Sequence, residues 1–188
     1  MDLLRRSRAQ GEFERFVAVH ADELIRTAYL MVGDRGDAED IVQECMLRLA
    51  RKWPRVRKME HSGAYARRVM VNLVLDGRHR RARRTLELAA SPPELAPASG
   101  DPLAASLDAR ADLIWALGEL SPRQRAVLVL RYFSDLPEGE VATILGCSVG
   151  TVKSSASRAL ARLRLTLEES ETEPDGEPNR QPTRRTVR

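Results

Sequence analysis

The chain has 188 residues, room for one domain or two small ones. It is 43% hydrophobic but only 4% aromatic and carries a net charge of +4. That balance disfavours a sheet-rich core and predicts packed helices. No stretch of about 20 apolar residues occurs, and the start, MDLLRRSRAQGEFERF, has no apolar run of signal-peptide length. A cytoplasmic chain without membrane insertion is therefore expected. Cys45 and Cys147 stand far apart, with no CxxC and no His-Cys spacing, so neither a disulfide framework nor a metal site is expected.

From Gly11 to Met31, Phe13, Val17, Leu24, Ala28 and Met31 recur at helical steps. Gly33–Gly36 is expected to break that helix. A second amphipathic helix follows, DAEDIVQECMLRLARKW, with an apolar stripe of Ile41, Val42, Cys45, Met46, Leu49 and Trp53. Its other face opens with Asp37, Asp40, Gln43 and Glu44, and Asp37 is the expected N-cap. Pro54 is expected to end it, leaving residues 55–61 as a basic loop. Ser62 begins a third helix that runs into an Arg cluster. Tyr65, Val69 and Leu73 share a side with Asn72 and Asp76, and polar groups at such steps mark a buried hydrogen bond or an exposed reading surface. These helices make a first unit over residues 12–85. Residues 86–106 hold four prolines and read as a flexible linker.

The second unit covers residues 107–167. Ser121-Pro122 supplies an N-cap followed by Pro at the first helical position. Val127, Leu128, Leu130 and Tyr132 are the expected apolar positions, and Asp135–Pro137 turns the chain. EGEVATILGCSVGTVKSSASR, residues 138–158, then reads as a helix-turn-helix. Ala142 must be small where the second helix crosses. Gly146 must turn sharply, with a positive φ open to it. Val152 must be apolar to lock the helices together, and Ser148 is the expected cap. Thr151, Lys153, Ser154, Ser157 and Arg158 lie on the second helix, which such a corner lays in a DNA major groove. A corner that merely packs a core is the plain alternative. A disordered tail is expected over 168–188.

The charges are segregated. Residues 11–47 hold nine acids and three bases, residues 48–84 thirteen bases and two acids, and residues 149–167 four bases and no acid. Two basic surfaces suit a polyanion, and an acidic surface suits a basic protein partner. His20, His61 and His79 show no ligand spacing. No Ser/His/Asp set, phosphate loop or metal cluster points to an enzyme, so no cofactor and no small-molecule substrate is expected.

Three segments together resemble the extracytoplasmic-function (ECF) sigma factors of bacterial RNA polymerase, in the sigma-70 superfamily and near its actinobacterial SigE-like members. DAEDIVQECMLRL resembles the polymerase-binding helix. AYARRVMVNLVLDGRHRRARR resembles the promoter-melting, −10-reading helix, and LSPRQRAVLVLRYFSDLPEGEVATILGCSVGTVKSSASRALARL resembles the −35-reading domain. The resemblance implies an all-α fold of two helical domains, sigma region 2 and a sigma region 4 helix-turn-helix. It implies a protein that binds core RNA polymerase and directs promoter-specific initiation, with promoter DNA as its second partner. Relatives are commonly held by an anti-sigma factor, which joins the implied partners. Asp37, Asp40, Gln43 and Glu44 would dock on polymerase. Tyr65, Arg68 and Asn72 would hold the opened −10 strand, and Arg78, Arg80 and Arg81 would track phosphates. Thr151, Lys153, Ser154, Ser157 and Arg158 would face the −35 element. Ser155 and Ser157 stand where the family often has Arg and a bulkier residue, and Tyr65 where it often has Trp. A response-regulator output domain, a helix-turn-helix regulator without sigma activity and an inactive interaction protein are the other readings. The first of these needs alternating strands and helices before residue 100.

Overall fold

The computed structural model describes residues 2–77 and 111–172, whose regular elements are all helical. The linker, Arg78, Arg80, Arg81, His79 and the tail beyond residue 172 lie outside the described residues. The first unit has three helices: α1 (Asp2–Val32), α2 (Arg35–Val56) and α3 (Ser62–Asp76). The second has a helix over 111–118 (α4) and α5 (Pro122–Leu128), which runs into a π-helical turn at Val129–Phe133. It then has α6 (Glu138–Leu145) and α7 (Val149–Thr172).

Each boundary has a local cause. Gly33 takes φ +80 and its N–H donates to the Tyr29 carbonyl, closing α1. The cap of α2 is Asp34 rather than the expected Asp37: the Asp34 carboxylate accepts from the Asp37 N–H at 2.8 Å. The break after α1 is thus two residues long, and Asp37 becomes the acid of the first turn. Pro54 does not stop α2. It sits in the last turn, the helix runs on to Val56, and the Arg57 N–H closes onto the Trp53 carbonyl. Proline there has no N–H to give the Ala50 carbonyl, and the helix ends two residues later. Gly77, at φ 61, ends α3 before the Arg run that was expected to continue it. The Ser121 cap and Pro122 are as expected, and Gln124 completes a reciprocal capping box.

α2 buries Ala38, Ile41, Val42, Cys45, Leu49, Trp53 and Val56 against α1 and α3. Phe13 meets Trp53 edge-on at 5.1 Å between ring centres, and Phe16 lies 5.2 Å from the same ring. Cys45 Sγ reaches the Ala66 carbonyl at 3.4 Å, a close crossing of α2 and α3. Burial pushes the Cys45 thiol up to about 12, so it stays protonated and inert. In the second unit Val127, Leu128 and Leu130 are buried, but Tyr132 is exposed. The π-turn inserts a residue into the helical phase and swings Tyr132 out of the stripe. Helix α7 continues to Thr172, so residues 168–172, expected as part of a disordered tail, are helical.

The two units are packed together. Buried side chains from α1 to α3 and from α4 to α7 form one continuous apolar core. Arg125, only 6% exposed, donates from Nη1 to the Met31 carbonyl of α1 at 2.8 Å. No sequence pattern announced this contact.

Candidate nucleic-acid interface

The helix-turn-helix forms as its residues require. Ala142 is buried where α7 crosses α6, Gly146 takes φ 62, and Val152 is fully buried. The Ser148 hydroxyl accepts from the Thr151 N–H at 3.1 Å, capping the start of α7. Arg123 donates to the Leu145 carbonyl at 3.2 Å, tying the end of α6 to α5. The corner is therefore held at both ends.

Thr151, Lys153, Ser154, Ser157 and Arg158 are all exposed on α7. They are not equivalent. The Thr151 hydroxyl lies 2.9 Å from the Ser148 hydroxyl, and the Ser154 hydroxyl donates to the Thr151 carbonyl. Both are engaged within their own helix. Lys153, largely in solvent, pairs loosely with the half-buried Glu138 at 3.6 Å, a contact of little worth. Arg158 uses Nε on the Ser154 carbonyl at 3.2 Å and keeps the rest of its fork. Lys153, Ser157 and Arg158 are thus the side chains best placed to reach a ligand. Ser155 is half-buried rather than outward.

On the first unit, Asn72 and Asp76 are exposed, so the polar steps of α3 belong to a surface and not to a buried hydrogen bond. Tyr65, Val69 and Asn72 line a recess of about 250 Å³, whose other wall is Arg48, Leu49, Arg51 and Lys52 of α2. Three cations facing a Tyr ring and an Asn amide suit an unstacked base with its phosphates. Sequence alone placed the α2 cations only within a broad basic surface suited to a polyanion, without pairing them with Asn72. The basic run 48–58 was the signal, but only the crossing of α2 over α3 aims part of it at Asn72. The loop before α3 lines a different cavity. Glu60 and His61 share it with Tyr65, Arg67 and Arg68. Arg67 is held by Glu23 of α1. His20 packs against Phe16 at 4.5 Å and so near Gly63 that a Cβ there would lie 2.8 Å from its ring. Gly63 is therefore fixed by close approach, not by its φ.

Asp40 and Gln43 are exposed on α2, and Glu44 is half-exposed and paired with Arg48 at 2.7 Å. Asp37 stands one turn earlier. Asp40, Gln43 and Glu44 share one face by their spacing. Among the described residues no group of three or more His, Cys, Asp or Glu could hold a metal ion. No described helix is long and apolar enough to cross a membrane.

Comparison with known proteins agrees with this layout. Residues 16–85 match the family Sigma-70 region 2, and residues 110–163 match Sigma-70, region 4. The RNA polymerase sigma-E factor of Streptomyces avermitilis is 40% identical over 157 residues, 84% of this chain and 86% of that protein. The sigma-E factor of Streptomyces coelicolor is 39% identical, over 83% and 86% of the two chains. Among solved structures, CnrH in complex with the cytosolic domain of CnrY superposes with a TM-score of 0.59 at 26% identity, covering 87% of this chain and 94% of that one. Bartonella quintana RpoE, solved with the anti-sigma factor NepR, shares the fold at TM-score 0.64 and 24% identity, over 84% and 97% of the two chains. With a helix-turn-helix behind a cationic region 2 surface, and both regions matched in order, this chain belongs to the ECF sigma factors of the sigma-70 family, the proteins that direct RNA polymerase to promoters.

Proposed function

We propose that the chain divides promoter reading between two faces and polymerase docking on a third. Asp37, Asp40, Gln43 and Glu44 dock on core RNA polymerase. Tyr65, Arg68 and Asn72 hold the opened −10 strand, with Arg48, Arg51 and Lys52 closing the recess around a base. Arg78, Arg80 and Arg81 follow the phosphates beyond Gly77. Thr151, Lys153, Ser154, Ser157 and Arg158 lie over the −35 element, with Lys153 and Arg158 making the strongest contacts. The working division is region 2 over 12–85, a linker over 86–106, region 4 over 107–167 and a tail over 168–188. Bond-making belongs to the polymerase, so the chain is an initiation factor and no enzyme, acting in the cytoplasm. An anti-sigma protein is the further partner that membership of this family implies.

The observation that carries the reading is the recess that places Tyr65 and Asn72 opposite three α2 cations. A helix-turn-helix regulator without sigma activity would leave that recess idle. Run-off transcription with core polymerase on genomic promoter fragments tests it. Discrete promoter-specific transcripts are expected, and none above those of core polymerase alone would refute the reading. Glu44→Lys should weaken capture of core polymerase while circular dichroism stays unchanged. Undiminished capture removes the docking assignment.

A further inference from the structure

Helix α3 carries Tyr65, Arg68 and Asn72, yet its start is not held by a local cap. Helices α2, α5 and α7 begin on the capping side chains of Asp34, Ser121 and Ser148. Helix α3 begins on His61, whose side chain caps nothing. The chain before it turns on backbone hydrogen bonds, from the Lys58 N–H to the Arg55 carbonyl and from the Met59 N–H to the Val56 carbonyl. The side chains of Lys58, Met59, Glu60 and His61 stand in solvent. What fixes this loop therefore has to come from another element.

That element is α1. Glu12, Phe16, His20 and Glu23 follow at steps of four, four and three, which sets them on one face. The Glu12 carboxylate accepts from Arg57 at 2.7 Å, where the loop begins. The Glu23 carboxylate accepts from Arg67, in the second turn of α3. Between these two ion pairs lies a contact of shape. Trp53, Phe16 and His20 form a row of rings with centres 5.2 and 4.5 Å apart, and the row ends against Gly63. A Cβ on Gly63 would lie 2.8 Å from His20 Cε1 and 3.3 Å from its Nε2. An unsupported imidazole would swing away from such a methyl. This one is backed by Phe16, which is 8% exposed and rests in turn on Trp53. The displacement therefore passes to the backbone of α3. Alanine is otherwise the better helix former, so it is the ring that requires glycine here.

We propose that this face of α1 is a clamp that sets where the loop 57–63 and the first turn of α3 stand, with His20 as its central positioning residue, and that promoter opening depends on it. Tyr65 lies two residues beyond Gly63. A shift of the α3 start moves Tyr65 and Arg68, while Arg48, Arg51 and Lys52 keep their places on α2. A recess that holds a base between the two helices loses its fit when one wall moves and the other does not. That route from clamp to opening rests on the −10 face assigned above.

The test is a two-by-two set in the full chain: wild type, Gly63→Ala, His20→Ala and the double variant, each assembled with core polymerase. Permanganate reactivity follows the rate of promoter opening, beside capture of core polymerase and binding of −35 duplex. Gly63→Ala should slow opening at least about fivefold, with capture and duplex binding within about twofold of wild type. The same substitution in the His20→Ala chain should leave opening unchanged or speed it, because the methyl then has room. A change of sign on removal of the ring is the mark of a direct contact, whereas general damage to α3 persists in the double variant. Gly63→Ala that opens at the wild-type rate, or slows opening equally with and without His20, overturns the proposal. Should Gly63→Ala alone not fold, Glu23→Gln weakens the clamp without adding bulk and should slow opening about twofold. Opening at the wild-type rate by a folded Glu23→Gln chain would then count against the clamp. Tyr65→Ala, run alongside, separates the two readings. If it is silent while Gly63→Ala is slow, the −10 face is misassigned and the clamp stands. If it is slow while Gly63→Ala is silent, the face stands and the clamp falls.

Discussion

The two surfaces proposed to face DNA are built on opposite principles. The outer face of α7 belongs to a local corner: Ser148, Gly146, Ala142 and Val152 fix it within about fifteen residues of chain. The α3 face is assembled across distance. Tyr65 and Asn72 acquire their surroundings from α2, and Arg68 faces α6 of the other unit. The α7 surface stands open to solvent, whereas the α3 surface borders a cleft. A surface encoded locally is available as soon as its corner folds, whereas a composite one can be covered or uncovered by moving its distant parts.

The largest effect should come from breaking the local surface at its lock. Val152→Asp buries a carboxylate at a site with no exposure, which costs several kcal/mol, on the order of 3 or more. It should abolish binding to −35 duplex and lower the thermal midpoint of the chain. A midpoint within a degree of wild type would show that the corner is held by something else. Next comes the composite surface. Tyr65→Ala removes the ring proposed to stack on a base, a contact worth about 1–3 kcal/mol, so open complexes should form roughly five- to a hundredfold more slowly. Asn72→Ala should act in the same direction. Neither should change −35 duplex binding, and identical permanganate footprints would place the base pocket elsewhere.

Smaller effects sharpen the comparison within α7. Arg158→Ala should cost about 1–3 kcal/mol and relax preference at one position if its fork reads a base. Lys153→Ala should weaken all sequences alike and lower the salt slope by roughly one unit, as a phosphate contact does. Selection from a randomised duplex library at two salt concentrations separates the two, and silence from both variants would make the corner a protein-binding surface.

The smallest effect lies in the core. The Cys45 thiol ionises only near 12 when folded, against 9.0 for the free group. Its stability contribution is complete below pH 9.0 and is lost as pH rises from there towards about 12, because the unfolded chain releases the proton first. Cys45→Ala should flatten that alkaline part of a urea-midpoint profile. Alkylation at neutral pH should modify Cys147, which is partly exposed, and spare Cys45.

Much of the fold was legible in the chain. Apolar residues at helical spacing announced the stripes of α1 and α2, and the Ser121-Pro122 pair marked the start of α5. The helix-turn-helix was readable down to Gly146 and the Ser148 cap, because every determinant lies within one turn of its effect. Boundary errors arose where two signals competed. Asp34 took the cap expected of Asp37, and Pro54 fell too late in α2 to stop it. The π-turn at Val129–Phe133 moved Tyr132 to the surface, and a period of 3.6 read along the sequence has no way to foresee an inserted residue.

The sequence by itself determined the helices, the corner and the basic blocks, since each follows from hydrogen bonds and apolar spacing along a single helix. Only the tertiary structure decided which cations face Asn72, that Arg125 is buried on the end of α1, and that the Tyr65 face lies opposite α6. Those contacts join residues from about 20 to more than 90 positions apart. Such pairings depend on how helices cross and which faces they bury, and no local periodicity records that.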